Sequence, residues 1–353
     1  MINDRIQRQE AGNNSTNYQA ENININQGIT YRDAKDIALD IYRQNFIQLS
    51  EQAAKIALDR VEAFIDEFLE KLQSMDVSLL RRMNEPAIQS SIYSAQKQYA
   101  ITGDEKQKKI LLDLIVQRCG SEERGIHQIV LDEAINIISK LTSEQMDVLT
   151  LNFVICRLMD NEINDFYSFL NHLDLHVLSF VDALECTNSM YEHLAYLGVA
   201  TIEFTGRAPQ LYNSYRERYA AVFSKGLSHE EVSCFKNETG ISDDYFIEHH
   251  EFPMCLQLAA LNKQALISRC EHDELPALII DKLSALLFSN TMNGEEAKAF
   301  LIKHRPLIAG LFSKWDNSLI SHINITPVGI AIAQANLLRK TGKNLSLERW
   351  LKN

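Results

Sequence analysis

The chain has 353 residues, 46% of them hydrophobic and 23% charged, with a formal net charge of −12. That is enough apolar material for one large helical domain or two smaller ones, and the basic footprint of a phosphate-backbone binder is missing. Thirteen glycines and six prolines are too few for an all-β architecture rich in tight turns.

Residues 1–14 are polar. The opening Met1, Ile2, Asn3, Asp4, Arg5 has no apolar core and does not read as a secretory signal. In 15–28, Ile23 and Ile25 alternate with Asn22, Asn24 and Asn26, which is strand periodicity. A lone strand is not stable. Asn/Gln ladders and a stacking aromatic such as Tyr18 favour pairing with the same segment of a neighbouring chain, and the alternative is a flexible polar tail.

The stretch 31–74 organises the rest. Neither glycine nor proline occurs between Gly28 and Pro86, so nothing forces a break. Thr30 with Asp33 resembles a capping box. Ala34, Ile37, Ala38, Ile41, Phe46, Leu49, Ala53, Ile56, Ala57, Val61, Phe64, Phe68, Leu69 and Leu72 form one helical stripe. As a single helix it would run roughly 66 Å, beyond the width of one domain. Two readings follow: one long helix packed against its copy in a second subunit, or two helices joined by an unmarked turn near Leu49 and Ser50.

Helical pieces follow at 77–83, 86–99, 110–118 and 126–141. A capping box at Thr142 and Gln145 opens a helix through Met159. More helices are expected at 162–172, 175–184, 189–197, 210–223, 253–270, 276–288, 295–303 and 306–312, with another capped at Ser228. Strands are expected at 199–204 and 320–326 only, apart from the N-terminal segment. Pro327 starts a helix through Leu338, with Gly342 beyond its end. A helix end at Gly198, two strands, and a helix opening at Thr326 to Gly329 make the skeleton of a winged helix, with 206–318 inserted between its strands. Thr326 caps that last helix and the small Gly329 permits close backbone packing. The domains so drawn are 1–30, a polar self-association segment; 31–140, with the long helix; and 141–353, with the winged-helix-like strands. The fold class is mainly α.

Chemical signatures are sparse. His172 and His176 are four apart, but the glutamate a zinc protease needs is replaced by Leu173. The pair reads as an ordinary polar helix face. His249, His250, Glu251 and Cys255 are ligand-rich but sit near Pro253 in a loop, and Cys270 with His272 has no second pair. The acidic residues Asp160, Glu162, Asp243 and Asp244 read as loop or cap residues. No G-x-G-x-x-G, Walker or G-x-S-x-G motif occurs. Cys119, Cys156, Cys186, Cys234, Cys255 and Cys270 form no C-x-x-C pair and read as reduced core thiols. With no apolar run long enough to span a membrane, the expected location is cytoplasmic. No catalytic residue, cofactor or metal is expected. Purified protein should hold no stoichiometric zinc, and His172→Ala should shift stability by no more than about 0.5 kcal/mol.

Two regions carry a family resemblance: 22–40 (NININQGITYRDAKDIALD) running into 64–69 (FIDEFL), and 325–336 (ITPVGIAIAQAN) with 347–350 (LERW). They resemble a bacterial family named only after locus tags, over nearly the whole chain. From Leu141 onward the chain is also similar to the abortive infection alpha proteins of bacteriophage resistance, which implies phage defence as a context and transfers no catalytic residue.

The leading expectation is a non-enzymatic, self-assembling helical protein of a bacterial defence or stress response. Tyr18, Ile23, Ile25, Phe46, Phe64 and Phe68 would form its homo-oligomer interface, and a protein partner is a further option. The alternative is a winged-helix-like nucleic-acid-binding regulator using Tyr212, Arg216 and Arg218. A hydrolase built on a scattered Cys/His or metal site is the third reading.

Overall fold

The computed structural model describes residues 29–45, 50–121, 125–160, 162–163, 165–181, 187–203, 205 and 210–351. Tyr18, Ile23, Ile25 and Phe46, expected at an interface, lie outside them, as does Cys186. The described chain is mainly helical, as expected. In order it forms α1 (Tyr31–Asn45), α2 (Glu51–Met75), α3 (Pro86–Thr102), α4 (Glu105–Gly120), α5 (Ile126–Ile137), α6 (Ser143–Cys156), α7 (Phe166–His172) and α8 (Asn188–Tyr196). Strand β1 (Ala200–Ile202) leads to α9 (Leu211–Arg218) and α10 (His229–Thr239). A hairpin, β2 (Phe246–Glu248) with β3 (Leu256–Leu258), precedes α11 (Lys263–His272), α12 (Ala277–Ser289), α13 (Gly294–His304) and α14 (Ile308–Asn317). Strand β4 (Ile323–Ile325), α15 (Pro327–Thr341) and α16 (Glu348–Leu351) complete the described chain.

The stretch 31–74 is two helices, not one. Lys35 Nζ lies 2.5 Å from Asp66 Oδ1 and the Tyr31 hydroxyl donates to the same oxygen at 3.3 Å, so α1 folds back along α2. From Ala57 to Leu72 the apolar stripe is thereby consumed within the chain, while Ile56 stays 47% exposed. Phe64 and Phe68 are fully buried, together with Val61, Ile65, Leu69 and Leu72. Each such side chain contributes about 1.5–3 kcal/mol by leaving water. Neither ring has surface left for a partner, which corrects their expected place in a subunit interface.

Helices α6 and α15 form the centre, packed on each other and, through α15, on α4 and α5. Both are buried on nearly all sides, as helices at the middle of a large core are. Their few polar side chains answer one another. Asn336 Nδ2 donates to Asp147 Oδ1 and to Thr150 Oγ1, both at 2.9 Å, and Lys340 Nζ lies 2.7 Å from Asp147 Oδ2. Asn152 Nδ2 donates to the Ile320 and Ile323 carbonyls. Satisfied networks of this kind fix one register between two helices that apolar packing alone would let slide.

The expected strands pair antiparallel, Ala200 opposite Ile325 and Ile202 opposite Ile323, with the inserted segment between them. Thr326 Oγ1 accepts the Gly329 N–H and donates to the Gly198 carbonyl at 2.7 Å. A Cβ on Gly329 would stand 2.0 Å from the Val199 carbonyl oxygen, so this position admits only glycine without a shift of backbone. The capping boxes at Thr142 and Ser228 are both formed.

The main hydrophobic core is continuous from Ala34 to Leu347. A satellite core of Leu227, Val232, Tyr245, Phe246, Leu258, Leu266, Leu283 and Leu287 unites α10, the hairpin, α11 and α12. Its chain enters and leaves at adjacent points: Ser224 bridges Thr291 antiparallel, Lys225 N–H donates to the Asn290 carbonyl at 2.8 Å, and Met292 N–H to the Phe223 carbonyl at 2.8 Å. The β2–β3 hairpin corrects two expectations, a helix over 253–270 and strands confined to the β1–β4 clip and the N-terminus. Asn262 caps α11 by accepting the Ala265 N–H, and this places the helix start after the strand.

Candidate functional site

The sequence pair His172 and His176 sits at the end of α7, where the helix widens into a π turn, Leu173–Val177. Such turns insert one extra residue into a helix and recur at functional sites. The two rings meet edge to face with centroids 5.4 Å apart. Both residues are buried, 3% and 6% exposed, which corrects the reading of a polar surface face. Their partner comes from the segment after α6. Asp160 Oδ2 lies 2.8 Å from His172 Nδ1, and Asp160 itself is 4% exposed. Removing the His172 imidazole is therefore a core change, not a surface one.

The other oxygen of Asp160 faces the C-terminal segment. Lys343 Nζ lies 2.7 Å from Asp160 Oδ1 and 2.8 Å from Glu162 Oε2, and the Glu162 N–H donates to Asp160 Oδ1 at 3.1 Å. Burial alone would raise the Asp160 pKa, but the hydrogen bonds from His172, Lys343 and the Glu162 backbone outweigh it and hold the carboxylate ionised. Burial opposes the Lys343 charge as well, and the bonds to Asp160 and Glu162 overcome it and raise the Lys343 pKa. His176 is pushed down to about 4 by burial first, then by its neighbours His172 and Lys343, so it is neutral at pH 7. His172 Nε2 and His176 Nδ1 are buried and meet no hydrogen-bond partner among the described residues. Asp160, His172 and His176 each offer a ligand atom, and these atoms lie within 4.8 Å of one another. They are the residues that could hold a metal ion.

Above this cluster lies a cleft of about 500 Å³, lined by Leu158, Met159, Leu345 and Trp350 with Asp160, Glu162, Lys343, Asn344 and Arg349. Trp350 is held edge-on to Phe153 at 5.1 Å. The side chains of Arg349 and Asn344 have no hydrogen-bond or ion-pair partner among the described residues. Sequence spacing hides this site. Asp160 and Lys343 are 183 residues apart, and an acidic residue after a helix has no local mark of its later partners.

The second histidine group is arranged differently. His249 Nε2 donates to the Ser224 carbonyl at 3.1 Å, and Nδ1 accepts the Glu251 and Phe252 N–H groups, so both nitrogens serve the local fold. His250 stacks between His249 and Phe166, with centroids 4.4 Å away on each side, and pairs with Gln257. Burial lowers both pKa values. Phe166, Phe300 and His304 join this stack to the main core.

Tyr212 is buried, and Arg218 spends its guanidinium on the Leu158 and Cys156 carbonyls, at 3.3 and 2.9 Å. Arg216 bonds the Met292 carbonyl at 3.4 Å. With Tyr212 buried and both half-buried arginines bonded to backbone carbonyls, the three do not form the exposed patch expected for nucleic acid. Burial pushes the Cys119 thiol up to about 12 and Cys156 up to about 11. Cys234 is exposed, unlike the core thiol expected there.

Fold and site together define a mainly helical protein with a buried carboxylate–imidazole centre under a C-terminal strap. A family model for an uncharacterised family named by locus tag matches residues 28–351, and the chain belongs to that family. No curated protein and no solved structure matches it. No helix among the described residues is long and apolar enough to cross a membrane.

Proposed function

We propose that the chain is a non-enzymatic binding protein whose ligand is a small molecule with an apolar body and an anionic end, held in the cleft under the C-terminal strap. One observation carries this reading: a cleft walled in part by Leu158, Met159, Leu345 and Trp350 presents the exposed Arg349 guanidinium and Asn344 amide with no partner among the described residues. Donors set at the mouth of an apolar pocket orient an acceptor-rich group while the walls take the rest of the molecule.

The chain has two tryptophans, and Trp315 is 1% exposed, so fluorescence changes on ligand addition report Trp350. Titration with aryl carboxylates should quench it saturably, and Arg349→Ala should weaken that response about tenfold or more. No saturable quench, or an unaffected Arg349→Ala variant, refutes the reading. Self-association through 15–27, and a part in phage defence or a stress response, are further proposals resting on the sequence. Mass measurement of the full chain against one starting at Gly28 tests the first, and phage plating on cells with and without the protein tests the second.

A further inference from the structure

Two buried imidazole nitrogens without a partner are costly. Each unsatisfied buried polar atom forfeits the hydrogen bonds it had in water, and native cores leave few of them. Among the described residues two such atoms, His172 Nε2 just before the π turn and His176 Nδ1 within it, lie beside a buried carboxylate. The Tyr215 hydroxyl, also buried and without a partner among the described residues, belongs to the same neighbourhood, its ring 6.2 Å from that of His172. The two imidazoles and the Asp160 carboxylate each offer a ligand atom, and the three atoms lie within 4.8 Å of one another.

We propose that Asp160, His172 and His176 bind one divalent first-row transition-metal ion, of the zinc class. Two neutral imidazoles and one carboxylate are a borderline donor set that suits zinc over the oxygen-loving calcium and magnesium. Lys343 is the electrostatic competitor for Asp160, and Glu162, 2.8 Å from the ammonium, is placed to hold it when the ion takes the carboxylate. The inference goes beyond the cleft ligand; the two sites share Asp160, Glu162 and Lys343, but His172 and His176 belong to the metal site alone and Arg349 to the cleft alone, so His176→Gln and Arg349→Ala separate the two.

The test uses the full chain stripped with chelator, then titrated with Zn²⁺ alone in a calorimeter and with Co²⁺ alone in the visible region. One equivalent should bind, Co²⁺ should give d–d bands of a nitrogen–oxygen site, and Zn²⁺ should raise the thermal midpoint. His176→Gln and His172→Gln should each weaken binding about tenfold or more, and Arg349→Ala should leave it unchanged. X-ray absorption at the zinc edge of the wild-type protein removes any dependence on variants that fold poorly. Two histidine ligands are expected there. No binding by the wild type, or fewer than two histidines around the bound ion, overturns the proposal.

Discussion

Gly329→Ala tests the packing argument against a simpler one. Helix propensity alone makes the substitution favourable by up to about 1 kcal/mol. The structure reverses the sign. The new Cβ would lie 2.0 Å from the Val199 carbonyl oxygen and 3.1 Å from its carbon, both rigid backbone atoms. That carbonyl cannot retreat freely, because it accepts the Thr326 N–H at 3.1 Å. Overpacking costs about 1–3 kcal/mol, and losing the Thr326 hydrogen bond adds about 0.5–1.5 kcal/mol. After a propensity gain of about 1 kcal/mol, the net destabilisation is about 0.5–3.5 kcal/mol. Urea unfolding followed by circular dichroism should show a lower midpoint at unchanged slope. A midpoint equal to or above that of the wild type would refute the close approach of α15 to the β1 entry.

Phe64→Ala should cost about 3–5 kcal/mol without changing the solution mass, because the ring is core and not interface; a smaller assembly in light scattering would contradict this. His249 and His250 have folded pKa values below the ordinary 6.5, so on acidification the unfolded chain takes up protons that the folded chain refuses. Stability should therefore fall as the pH drops below about 6.5, and His250→Phe, which keeps the stack, should flatten that fall; identical pH profiles would exclude His250 as a cause. Among the described thiols Cys234 should react first with an aromatic disulfide reagent and Cys119 and Cys156 only on unfolding, so a Cys234→Ser variant that keeps the fast phase would be the contrary result.

Local signals were legible wherever chemistry between near neighbours decides the backbone. Thr142 with Gln145, Ser228 with Glu231, and Pro327 behind Thr326 mark helix starts that the structure contains. The β1–β4 clip follows from Gly198 and from the apolar alternation Ile323, Asn324, Ile325. The break between α1 and α2 was not legible as a certainty, since no glycine or proline marks it. Only the mutual burial of the two faces of one stripe selects the hairpin. The β2–β3 pair escaped for a similar reason: strands of three residues have too little alternation to outweigh the helical look of their surroundings. The candidate site was half visible. His172 and His176 stand out by spacing, but their burial, and the meeting of Asp160 with Lys343, exist only after the whole chain has closed.

The bridge between Ser224 and Thr291 gives the satellite core an unusual independence of descent. Its chain departs and returns at one point, so removing 225–290 and joining the ends by a short turn leaves the threading of every other helix unchanged. The main body would lose the His250 stack on Phe166, the Glu251 pairing with Lys303, and the Leu261 carbonyl that accepts the Ala221 N–H. A unit attached in this way can be gained, lost or exchanged by a single genetic event. Relatives of this chain can therefore differ in the cassette while sharing the α6–α15 centre and the strap that closes over it.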